Sequence, residues 1–147
     1  MTEESAVREL TREECDALLV RNHVGRIAFS HRDRVDIEPI SYVYAEGWIY
    51  GRTSHGSKLR TLAHNRWVAF ETDEVQAMYL WRSVVVKGAL YLLEKSGASS
   101  GAWAAAVALL RPVMPELLEP DDPSPERTEL FRIHADGVTG RSTGRAQ

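Results

Sequence analysis

The residues of this chain best suited to chemistry concentrate in one short run, Arg52-Thr53-Ser54-His55-Gly56-Ser57-Lys58. It follows Trp48-Ile49-Tyr50-Gly51, which has the apolar and aromatic content of a strand, and it precedes Leu59, Leu62 and Ala63, which recur at the spacing of a short helix. A helix N-terminus presents unpaired backbone N–H groups and the positive end of the helix dipole, so it attracts anions. Hydroxyls from Thr53 and Ser57 and charge from Arg52 and Lys58 add to that field, and the set suits one phosphate. A plainer reading stands beside it, in which Ser57 only caps the helix and Arg52 and Lys58 point into water.

Other patterns carry less. Gly51 to Lys58 approaches the phosphate loop GxxxxGK[ST], but serine and lysine stand in the reverse order and no parallel βαβ unit surrounds them. Nucleotide hydrolysis is therefore not expected, although the ingredients still suit an anion. Gly140-Arg141-Ser142-Thr143-Gly144 matches the nucleophile elbow GxSxG, yet only Arg145, Ala146 and Gln147 follow, whereas the acid and histidine of that triad come after its serine. A terminal turn is the expectation there. The histidines at 23, 31, 55, 64 and 134 form neither a helical i, i+4 pair nor an HExxH, so no metal ligand is assigned. No carboxylate pair stands out as acid and base, and no catalytic side chain is assigned. Cys15 is the single cysteine, which excludes an intrachain disulfide and any CxxC motif and suits a reducing, cytoplasmic setting; on the apolar side of a helix it reads as inert core.

Several elements must position the 52–58 run. Thr11-Arg12-Glu13-Glu14 has the form of a capping box and predicts a helix over 11–21 within an N-terminal helical segment, 1–22. From Val24 the runs VGRIAFS, VDIEPISYVYA and WIYGRTS, broken by polar or glycine-containing turns, read as hairpin-linked antiparallel strands. Pro39 inside the second run removes a ladder donor and marks an edge, a bulge or a face turned toward something else. Two further strands begin near Trp67 and Ser83, an apolar helix covers 98–110, a proline-rich acidic stretch at 111–126 reads as a solvated loop, and 128–143 looks like a last strand and hairpin. The pattern predicts a mainly β fold with peripheral helices, a closed or partly closed antiparallel barrel.

The chain has 147 residues, Lys+Arg 18 against Asp+Glu 21 and a net charge of −3, which fits one domain over 1–147 and argues against a nucleic-acid partner. The opening residues lack a secretory pattern and no apolar run is long enough to span a bilayer, so no membrane association is expected.

The ordered set VGRIAF (24–29), EPISYVY (38–44), WIYGRTSHGSKLRTL (48–62), VAFETD (68–73), SVVVKGAL (83–90) and FRIHADGVTGR (131–141) resembles the pyridoxamine 5′-phosphate oxidase-like flavoproteins, the FMN-binding split-barrel family. The resemblance implies a six-stranded antiparallel Greek-key split β-barrel that holds FMN between the subunits of a homodimer. By position it implies that Arg52, Thr53, Ser57 and Lys58, with Gly56, take the ribityl phosphate. It implies that Pro39, Ile40, Ser41 and Tyr42 line the flavin ring with strand backbone, and that Trp81, Arg82 and Ser83 come from the second subunit. This chain reads Trp-Arg-Ser where the family often has Gly-Trp-Ser. The likeness is to the small general branch rather than to the vitamin B6 enzyme. The expectation is an FMN-dependent oxidoreductase acting on a small molecule, with an electron donor such as NAD(P)H. A deazaflavin F420-dependent reductase and a non-catalytic flavin-storage protein are the alternatives.

Overall fold

A computed structural model describes residues 7–54 and 66–143 of the chain. In chain order its elements are β1 (Val7–Glu9), α1 (Arg12–Arg21), β2 (Val24–His31), β3 (Arg34–Ala45), β4 (Trp48–Thr53), β5 (Trp67–Ala77), β6 (Leu80–Leu93), α2 (Ser100–Leu110), β7 (Glu129–His134) and β8 (Gly137–Thr143). The capping box forms as its sequence requires: Glu14 N–H donates to the Thr11 hydroxyl at 3.1 Å, and Thr11 N–H donates to the Glu14 carboxylate at 2.9 Å. Two-residue turns join β2 to β3 and β3 to β4, and Arg32, Asp33, Glu46 and Gly47 all have positive φ. That is the turn geometry whose twist matches a right-handed hairpin.

The strands are antiparallel throughout, in the order β1-β8-β6-β5-β2-β3-β4-β7, and β6 also pairs with β7. That extra pairing closes β6, β5, β2, β3, β4 and β7 into a six-stranded ring, with β8 attached along β6 and β1 along β8. The split-barrel class expected from the sequence is thus present, with eight strands among the described residues. The long β6 makes closure possible, because Trp81–Lys87 pairs with β8 while Leu90–Leu93 pairs with β7. Gly88 lies at the changeover, where a Cβ would fall 1.7 Å from the backbone oxygen of His134. Only glycine permits the two strands to approach so closely there.

Side chains fill the ring, as in any barrel of this size. Ile27, Tyr42, Phe70, Val84, Val86, Phe131 and Ile133 are buried inside it, and Leu18, Leu19 and Cys15 of α1 join the same core. Cys15 is the inert core thiol expected of it, its pKa pushed up chiefly by burial. Helix α2 closes a second cluster over Tyr50, Leu93 and Leu130, to which Leu117 of the following loop contributes.

Three details differ from the sequence-based expectations. Residues 7–9 pair as a strand with β8 before α1 begins, because β8 otherwise leaves an open edge. Gly140–Thr143 continues β8 instead of forming a terminal turn. The 111–126 stretch is not simply solvated, since Leu117 and Asp122 are buried within it. The helix expected at 56–62 lies outside the described residues, and among the described residues no helix is long and apolar enough to cross a membrane.

Arg21 donates to Glu74 at 2.7 and 2.8 Å and Asn22 donates to it at 2.7 Å, tying the end of α1 to β5. Chiefly through the Arg21 hydrogen bonds, these contacts hold the Glu74 carboxyl down at about 2, against an ordinary 4.5. A lowered carboxyl pKa stabilises the fold above pH 4.5, and that contribution is lost as pH falls toward 2. Replacing Glu74 by Gln is expected to cost about 1 kcal/mol at neutral pH and to flatten the acid limb of a melting-temperature profile. Gly88→Ala is expected to lower unfolding stability by about 3 kcal/mol or to prevent folding, whereas Gly101→Ala, with nothing within 4 Å, should be neutral or mildly stabilising in the same urea titration.

Candidate functional site

β3 serves two neighbours. Arg34–Ser41 pairs with β2, and Tyr42–Ala45 pairs with β4; beyond Gly51, β4 continues along β7 without β3. The two strands therefore diverge after the Tyr42–Gly51 pair and open a wedge. A cleft of about 350 Å³ occupies it, within the usual size range of small-molecule sites. One wall is Asp36, Glu38, Pro39 and Ile40 of β3; the other is Arg52, Thr53 and Ser54 at the end of β4, with Arg127 from the chain leading into β7.

The register explains Pro39. Tyr42 N–H donates to the His23 carbonyl at 2.9 Å, and the β2–β3 register runs unbroken back to Arg34. Even-numbered residues of β3 therefore turn their backbone groups toward β2, and odd-numbered ones turn theirs toward the wedge. Pro39, opposite Arg26, is odd, so its missing N–H removes no ladder bond.

Arg52 is the cation of the β4 wall, and its side chain is only 8% exposed. Its guanidinium forks onto Asp122, Nη1 donating to Oδ2 at 2.5 Å and Nη2 to Oδ1 at 3.0 Å. Backbone N–H groups of Leu118 and Ser124 donate to the same carboxylate, each at 2.9 Å. These contacts, led by the Arg52 hydrogen bonds, hold the Asp122 carboxyl far below the usual carboxylate range. The 111–126 loop is thus anchored at the cleft by a charge that the sequence left in water, since a buried carboxylate is tolerable only when its oxygens are all engaged.

Of the residues that the sequence put at a cofactor, Pro39, Ile40, Arg52 and Thr53 meet in this cleft. Ser41 follows on β3, opposite Val24. Tyr42 sends its ring into the barrel core, where its hydroxyl donates to the Leu19 carbonyl at 2.7 Å and burial pushes its pKa up to about 12. Its N–H is also engaged, and its carbonyl meets the His23 ring nitrogen at 3.2 Å, so its backbone groups turn to the β2 side rather than into the wedge. Gly56, Ser57 and Lys58 lie outside the described residues. Trp81, Arg82 and Ser83 sit on β6 opposite Val75, Glu74 and Asp73, and the first two border a separate small depression with Gln76 and Leu80. A single chain does not bring them to the cleft. Sequence reasoning missed Asp122 and Arg127; the local signal was Asp122-Pro123-Ser124, an Asx-turn sequence, which reveals the turn but not its distant partner. Among the described residues no cluster of three or more His, Cys, Asp or Glu could hold a metal ion.

Residues 11–142 match the pyridoxamine 5′-phosphate oxidase family. An FAD-binding protein of Mesorhizobium loti superposes with a TM-score of 0.75 at 29% identity, covering 94% of this chain and 99% of that one. The FAD-binding protein of Mycobacterium smegmatis gives a TM-score of 0.69 at 25% identity, covering 92% and 99%. An uncharacterized protein of Rhizobium meliloti is 30% identical over 82 residues, which is 56% of this chain and about half, 54%, of that relative.

Removing either partner of the buried pair leaves the other charge unmatched. Arg52→Ala and Asp122→Ala are each expected to lower the melting temperature by several degrees without any ligand. The double variant should lose less than the sum of the two, and additive losses in the thermal melts would show that the pair is not coupled.

Proposed function

The chain belongs to the pyridoxamine 5′-phosphate oxidase family, and we propose that it is a flavin-binding homodimer that works as a small oxidoreductase. The observation that carries this reading is the wedge between β3 and β4, where strand backbone released from pairing faces a buried arginine across about 350 Å³. Those walls fit a flavin. The proline-bearing edge of β3 offers a flat face and unladdered backbone groups to a ring, and Arg52 and Thr53 offer donors to a phosphate, alongside Ser57 and Lys58 as the resemblance implies. When bound, the flavin supplies the hydride or electron chemistry. The chain's own residues bind and orient it; no side chain of the cleft is assigned a proton-transfer role.

Two observations bear on the assembly. Val35 and Trp67, 78% and 54% exposed, border an apolar groove with Ala28 and Ala69 on the outer face of the β2–β3–β5 sheet, and Ile37, 67% exposed, lies on β3 opposite Ala28. Apolar groups gathered on one face mark an interaction surface, and a second copy is the natural occupant. A second copy would also bring Trp81, Arg82 and Ser83 to the flavin, which one chain does not. A cytoplasmic location accords with a lone buried thiol.

FMN is the cofactor that the 52–58 run suits. FAD is a second reading, favoured by the two superposed proteins, both FAD-binding. Titrating the purified protein with FMN, FAD and F420 while following flavin absorbance and fluorescence is expected to give a saturable site for FMN or FAD and weaker binding of F420. Preparations that are colourless and bind neither FMN nor FAD would sink the proposal. NAD(P)H oxidation with an added electron acceptor separates an oxidoreductase from a storage protein. Light scattering should report a dimer, and the pair Val35→Asp and Ile37→Asp is expected to shift it to monomer with loss of flavin affinity.

A further inference from the structure

We propose that Asp122 is a positioning residue for the phosphate end of the cleft: it fixes the guanidinium of Arg52 and, through Ser124, the turn that brings Arg127 to the same wall. This rests on the reading that the cleft holds a flavin by its phosphate.

The two partners lie 70 residues apart, on β4 and on the loop after α2, and both side chains are buried, 8% and 2% exposed. Each oxygen of Asp122 accepts twice: Oδ2 from Arg52 and Leu118 N–H, Oδ1 from Arg52 and Ser124 N–H. The carboxylate is therefore held by its own loop and cannot follow the arginine; the arginine must follow it. A guanidinium is flat, so pinning two of its five N–H groups sets the plane in which the other three point. Arg52 also lines the cleft, which a pair serving only to fasten a loop need not do.

The pairing shapes the charge as well. Arg52 and Asp122 together carry no net charge, so an anion meets directed donors there rather than a bare cation. Among the described residues of the cleft wall, further positive charge comes from Arg127, which is exposed. Its N–H donates to the Ser124 carbonyl at 3.0 Å, and Ser124 N–H donates to Asp122. One carboxylate thus organises Arg52 and the turn that carries Arg127. Buried ion pairs add little stability over apolar packing, so geometry is the better reason for this one.

The test is the ratio of FMN to riboflavin affinity, read by flavin fluorescence at fixed ionic strength, because the two ligands differ only in the phosphate. The protein itself should prefer FMN by about tenfold or more, the worth of a charge-assisted hydrogen bond. Asp122→Asn should erase most of that preference while leaving riboflavin affinity unchanged, and Arg52→Lys combined with it should lose no more than Arg52→Lys alone. Asp122→Glu, which keeps the charge but displaces the fork by a methylene, should fold and lose part of the preference. It serves as the second variant if Asp122→Asn does not fold. Equal loss of FMN and riboflavin in these variants would make Asp122 a purely structural residue and overturn the proposal. So would tighter FMN binding by Asp122→Asn, since Asp122 would then compete with phosphate for Arg52, and so would an unchanged ratio in Asp122→Glu. If the unmodified protein binds riboflavin as well as FMN, the phosphate reading itself fails first.

Discussion

Everything at the candidate site follows from β3 having to satisfy two neighbours that lie in different directions. Its first eight residues pair with β2 and its last four with β4, and β4 goes on with β7 after β3 has left it. A closed ring of six strands absorbs that divergence as a split. Backbone groups that would cost free energy if buried unpaired are instead exposed on the wall of a cleft, where a ligand or water can satisfy them. Pro39 fits that wall for the same reason: it stands on the one parity of β3 that owes β2 nothing. Ring closure in turn depends on Gly88, which lets β6 hand over from β8 to β7 against the His134 carbonyl.

The electrostatics serve the same split. Arg52 emerges where β4 loses β3, and a positive charge at a nearly buried position needs a partner. The chain supplies it from the proline-rich loop, whose Leu117 is packed into the α2 cluster and whose Asp122 is saturated with four hydrogen bonds. The same logic recurs at lower burial where Glu74 gathers Arg21 and Asn22 and fastens α1 to β5. In both places an acidic residue joins a helix or loop to the barrel, and packing alone does not fix the angle between them.

One chain brings together only some of the residues expected at a cofactor. Four of the residues expected at a cofactor, Pro39, Ile40, Arg52 and Thr53, line one cleft, while Trp81 and Arg82 border another depression on β6. The barrel interior is packed with side chains, so a ligand of flavin size has to lie on the outside. An exterior cleft is shielded best by another molecule, and the apolar face around Val35, Ile37 and Trp67 provides a place for one.

Local physics made much of this legible in the sequence. The capping box at Thr11–Glu14, the hairpin turns at 32–33 and 46–47, the period-two runs of β2 to β6 and the inert place of Cys15 depend on neighbours a few residues away, and each appears as read. The 52–53 end of the phosphate-suited run also falls where a strand ends, as its composition required. What the sequence could not determine depends on pairs far apart in the chain. Asp122 looks like one more acid in a solvated loop until folding brings Arg52, 70 residues away, into its fork. Tyr42 belongs to the same motif as Pro39, yet the strand's alternation sends its ring into the core. The β1–β8 pairing answered an open edge that exists only once the sheet is assembled. Burial, register and the neutralisation of a buried charge belong to the folded chain as a whole, and these decided which of the residues marked by type and spacing share a cleft.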